Sequence, residues 1–136
     1  MARATKRATI DRARFTNYIS VADSFFKGAE LARQHEYWNA AGVLIVHAAI
    51  AYADAIAIKL GGVKSQSEQH QEAVDLLSEL VAEGEESKRA LNQLRRIIDH
   101  KTAVSYSGKV YNPSDVDQLR KQVERFRTWA TIILKG

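Results

Sequence analysis

Cysteine is absent from the 136 residues. That single absence removes thiol catalysis, Cys-ligated zinc and a disulfide framework together, and it fits a reducing cytoplasm, the compartment expected for this chain. Proline occurs only at Pro113, so little interrupts long helices. Convincing strand alternation is missing, and so are internal repeats. The N-terminal stretch "MARATKRATIDRAR" is basic but has no apolar run behind it, so it does not read as a secretory signal. "LGGVKSQS" lacks the G-K-[ST] ending of a phosphate-binding P-loop, and no G-x-S-x-G nucleophile elbow occurs. His35, His47, His70 and His100 form no close H-x-x-x-H pair. A metal site would have to be assembled by tertiary folding, and neither metal nor cofactor is expected.

What is present is helical. The chain length corresponds to one domain, divided here into a flexible basic N-terminus, residues 1–9, and a single bundle, residues 10–136. Breaks at "GGVKSQS" and "YSGKVYNPS" separate segments of helical periodicity. The spacing predicts helices over about Ile10–His35, Tyr37–Leu60, Ser67–Glu83 and Glu85–Ser105. A fifth is capped by Asn112 or Ser114, with Pro113 in its first turn. The stripe Phe15, Ile19, Ala22, Phe26 and Ala29 marks the first helix. Val116, Leu119, Val123, Phe126, Ala130 and Ile133 form a regular seam on the last, which packs either inside the monomer or across a dimer. The fold class is therefore all-α, an up-and-down bundle of about five helices.

"WNAAGVLIVHAAIAYADAIAI", Trp38–Ile58, approaches the length of a membrane span. His47 and Asp54 lie inside it on one face, and a carboxylate at mid-span is costly in lipid. The segment reads as the central helix of a soluble bundle. His47 and Asp54 are then an internal polar line, expected to be buried and satisfied by neighbours. The aromatics Tyr37, Trp38, Tyr52 and Trp129 read as core rather than as a base-stacking platform.

The formal net charge is +4 and the pI about 9.4. Arg3, Lys6, Arg7, Arg12 and Arg14 crowd the start. Lys88, Arg89, Arg95, Arg96 and Lys101, then Arg120, Lys121, Arg125 and Arg127, mark the second half. An acidic middle, Glu68 to Glu86, separates them. A basic face suits phosphate binding, although a solvated surface accounts for a charge this modest.

One stretch carries recognisable chemistry: "RRIIDHKTAVSY", Arg95–Tyr106. Arg95 and His100 are candidate catalytic residues. A histidine can take the proton of a ribose 2′-hydroxyl, and an arginine can hold the charge that develops on the phosphate. Five residues of helix, however, rotate two side chains about 140° apart. The pair converges only if the helix bends or a two-fold partner supplies one half. Arg96 and His100, at i and i+4, do share a face.

Three stretches then carry a likeness. "YWNAAGVLIVHAAIAYADAIAIKLG", Tyr37–Gly61, "SEQHQEAVDLL", Ser67–Leu77, and "LNQLRRIIDHKTAVSYSGKVYNPSDVDQLRKQVERFRTWA", Leu91–Ala130, resemble the second, the third and the last two helices of HEPN domains. The resemblance implies an all-helical module. Active members carry Arg, four to six residues, then His. They cut RNA without metal, often as dimers and often as toxins beside a nucleotidyltransferase-type antitoxin. Arg95-x4-His100 has that spacing. It departs in Arg96, where Asn, Asp or His is usual, and it lies early relative to the loop before the last helix. The register at the expected place is Lys101-x4-Tyr106, similar to branches that read R-x-x-x-D-Y and lack the histidine. The resemblance thus implies a non-cleaving, homodimeric module that binds a partner protein or nucleic acid in a toxin–antitoxin or defence context. The alternative is a metal-independent endoribonuclease using Arg95 and His100.

Overall fold

The structure, a computed structural model, describes residues 7–66 and 70–136. Five α-helices run in order: α1 Phe15–Gln34, α2 Trp38–Gly61, α3 Gln71–Leu80, α4 Glu85–Ser105 and α5 Pro113–Lys135. The all-α bundle expected from periodicity is what the chain forms. α2 is apolar on every side and packs against all four other helices, as a helix without a polar face must. It is the one described helix long and apolar enough to cross a membrane, and most of it is buried inside the bundle.

Several boundaries differ from the sequence expectation, each for a local reason. The segment before α1 does not start as α-helix at Ile10. Asp11 accepts the amide of Ala13 and opens a 3-10 turn over Arg12–Arg14. Residues 7–9, expected in a loose tail, form a strand, β1 (Arg7–Thr9). It pairs antiparallel with β2 (Val63–Ser65). Strands this short show no alternation to read. α3 begins at Gln71 rather than Ser67, which lies outside the described residues, and ends at Leu80 because Val81 is extended.

The turn from α1 to α2 is tight. Glu36 takes a left-handed conformation (φ 61°), while the Tyr37 amide bonds to Ala32 O at 2.9 Å and the Glu36 amide to Arg33 O at 3.0 Å. This is a Schellman-type stop made without its usual glycine. At α5 the open choice of cap resolves to Asn112, whose side chain accepts the Asp115 amide while Asp115 accepts that of Asn112. That is a reciprocal capping box.

The α5 seam packs inside the chain. Val116, Leu119, Val123, Phe126 and Ala130 are buried, and Leu134 is buried where Ile133 was expected. In α1 the alanines Ala22 and Ala29 are buried, and the larger Phe15, Ile19 and Phe26 are only partly covered. Of the four aromatics expected in the core, Tyr52 is buried, and Trp38 and Trp129 pack at its edge. Tyr37 is 65% exposed, contrary to expectation, because it caps the outer turn.

Candidate functional site

α4 carries most of the residues singled out for chemistry, and the fold sends them to different neighbours. Arg95 turns towards α3, where its guanidinium meets Asp75 at 3.3 Å. It lines a cavity of about 390 Å³ at the α3–α4 turn. Further along α4, His100 turns towards the segment leading into α5. Its Nδ1 lies 2.8 Å from the Tyr111 hydroxyl, and the two rings meet edge-on. Tyr111 is only 2% exposed. The two side chains do not come together within one chain, as the rotation of a straight helix requires.

Burial lowers the His100 pKa, helped by the nearby Lys109 ammonium and opposed by Asp99 and Asp115. The imidazole is thereby held in its neutral form, able either to accept from or to donate to the Tyr111 hydroxyl. Tyr111 owes its position to Asn39, in the first turn of α2. The Asn39 amide donates to Val104 O at 3.0 Å and to Lys109 O at 2.9 Å, and its carbonyl oxygen accepts the Tyr111 amide at 2.8 Å. One side chain ties the α4–α5 loop to the central helix. Neither Asn39 nor Tyr111 was singled out as a site residue from sequence, because these bonds span 65 to 72 positions of chain.

The later register, Lys101 and Tyr106, forms a looser pair. The Lys101 ammonium sits 5.9 Å from the centroid of the Tyr106 ring, which is 78% exposed. Lys101 also faces inward electrostatically. It lowers the pKa of both His47 and His70, in each case second to burial.

The polar line of α2 is half-buried rather than fully buried, because its two members reach the margins of the core. His47 packs near Phe25 of α1, ring centroids 5.9 Å apart. Asp54 lines a small cavity of about 180 Å³ beside β2 and the start of α3, together with Lys64 and His70. Burial pushes the Asp54 carboxyl up to about 7, against the opposing pull of Lys64. His70, 16 positions further along the chain, joins this cluster through tertiary folding. Among the described residues, no group of three His, Asp or Glu side chains is arranged to hold a metal ion.

Arg96 points elsewhere again, into a groove between α4 and α5 that also holds Arg89, Arg125 and Trp129. Helical spacing could have found this grouping. Arg89 and Arg96 are i and i+7 on α4, and Arg125 and Trp129 are i and i+4 on α5.

The family profile of the HEPN domain matches residues 16–133, nearly the whole bundle. The chain belongs to the HEPN domain family. No curated protein and no solved structure matches it significantly. The match spans all the site residues named above.

Proposed function

We propose that this HEPN chain is a non-cleaving binding module, acting as a cytoplasmic homodimer in a toxin–antitoxin or defence setting. Its partner there is a protein such as a nucleotidyltransferase-type antitoxin, or a nucleic acid such as RNA. The observation that carries the reading is the separation of Arg95 and His100. One is paired with Asp75 on α3 and the other is bonded to Tyr111 before α5. The pair at the place expected for the family motif is Lys101 and Tyr106, and a phenol does not exchange its proton near neutral pH as an imidazole does.

A second reading is favoured by one observation. His100 is kept neutral by burial, which is the form a general base needs. A metal-independent endoribonuclease would then use His100 of one protomer with an arginine delivered across a two-fold axis. Incubation of the purified protein with single-stranded RNA, with and without chelator, separates the two. The binding-module reading expects intact RNA, with any affinity falling steeply as salt rises. The nuclease reading expects 2′,3′-cyclic phosphate ends, activity lost in His100→Ala and largely retained in Lys101→Ala. That second pattern would sink the non-cleaving proposal.

A further inference from the structure

The groove between α4 and α5 takes no part in the readings above. Its volume is about 530 Å³. Arg89 and Arg96 line it from α4, and Arg125 from α5. None of the three has an ion-pair partner among the described residues, whereas Arg33, Arg95 and Arg127 each have one and Arg120 has two. Trp129 and Ile132 give the groove an apolar strip along α5, backed by the buried Phe126, and Ile132 is 68% exposed. A lone carboxylate, Glu86, stands among the lining residues.

We infer that this groove seats an amphipathic helix of a partner protein, with apolar residues on one face and carboxylates on its flanks. Three kinds of evidence converge on that occupant. Three unpaired guanidinium groups call for anions, and a bidentate carboxylate satisfies an arginine well. The apolar strip calls for aliphatic or aromatic anchors, and tryptophan with arginine is the composition that dominates protein–protein contacts. The length also agrees. Glu86 to Arg96 spans about 15 Å of α4, enough for the i, i+3/i+4, i+7 anchors of a helix laid in a groove. A single-stranded nucleic acid fits less well. It would use the arginines but leave Ile132 bare, and one side of the Trp129 indole already packs on Phe126, with centroids 5.6 Å apart.

The inference deepens the binding-module reading and rests on it, yet the two fail separately. RNA cleavage would overturn that reading, while a peptide titration judges the groove. The probe is a synthetic peptide of about 14 residues, with leucines repeating on one face and glutamates on both flanks. Controls are a scrambled peptide of the same composition and a single-stranded oligouridylate. Isothermal titration into the full chain is expected to show saturable binding of the patterned peptide and little of the scrambled one. The triple variant Arg89→Ala/Arg96→Ala/Arg125→Ala, all at exposed positions, is expected to bind at least about tenfold more weakly. Ile132→Glu, also exposed, is expected to do the same without disturbing the core. Absence of peptide binding, equal binding of the scrambled control, or unchanged affinity in both variants overturns the proposal. So does loss of oligouridylate binding alone in the triple variant, which would assign the groove to nucleic acid. A homodimer that dissociates on either change would likewise overturn it, assigning the groove to a second copy of this chain.

Discussion

At the scale of the residue, Asp54 is the group whose chemistry the fold alters most clearly. Burial beside β2 raises its pKa from 3.8 to about 7. Between those values the folded chain holds a proton that the unfolded chain has released. Stability from this group therefore falls as pH rises through that window, and the full cost stands above about 7. His47, His70 and His100 act in the other direction. Their folded pKa values are lowered, so stability falls as pH drops below 6.5 and the unfolded chain binds protons that the folded chain resists. Asp54→Asn removes the first branch and leaves the second. The variant is expected to be more stable than the parent at about pH 8, by on the order of 2 kcal/mol, with the gain shrinking towards pH 5. Urea midpoints at the two pH values measure it. An equal gain at both would show that the ionisation of Asp54 is not the cause.

At the scale of the element, the close approach of α2 and α4 sets where the α4 side chains point. Gly42 makes that approach. A Cβ added there would lie 2.6 Å from Val104 Cγ2, with Tyr111 also in contact range. Alanine would gain roughly 1 kcal/mol of helix propensity. Crowding of the buried Val104 costs about 1–3 kcal/mol, and the crowding wins because Val104 is a short, β-branched side chain only 5% exposed. Gly42→Ala is expected to lower the denaturant midpoint, and adding Val104→Ala to the same chain should cost less than Val104→Ala does in the parent. A raised midpoint in the single variant would mean that the two helices are not held at this separation. Cross-links of another kind fix α5. Lys59 donates to the carbonyls of Ile133, Leu134 and Gly136 at 2.7–2.9 Å, satisfying the last turn of that helix. Tyr52 donates to Asp23 and accepts from Arg127 at 2.8 Å. Burial and the Asp23 hydrogen bond push the Tyr52 hydroxyl up to about 12, so the phenol at this α1–α2–α5 junction stays protonated at any physiological pH.

At the scale of the whole molecule, the α5 seam no longer supplies a surface for self-association, because it is buried within its own chain. The homodimer proposed above therefore requires another face. Light scattering at micromolar concentration is expected to give twice the chain mass of 15.2 kDa. A monomer that persists on concentration would remove the two-fold axis on which the nuclease reading depends. The charge is uneven at this scale as well. The arginines of the α4–α5 groove have no carboxylate partner among the described residues, while Arg95 pairs with Asp75 from the acidic α3.

Much of this was legible in the sequence, and the reason is physical. Apolar periodicity is a local property of the chain, so the five helices, the central place of α2, the α4 boundaries and the place of Pro113 in the first turn of α5 follow from spacing and capping chemistry, whereas the choice of Asn112 over Ser114 as the cap did not. The likeness to HEPN domains rests on the same local patterns. The rotation per residue of a helix also warned that Arg95 and His100 would diverge. What the tertiary structure alone decided are the meetings between distant positions. Asn39 clamps the α4–α5 loop, Tyr111 reaches His100, His70 and Lys64 join Asp54, and β1 pairs with β2. No periodicity encodes such contacts, because each depends on how the helices pack side by side and on which few polar groups are left to satisfy one another once the apolar faces have closed.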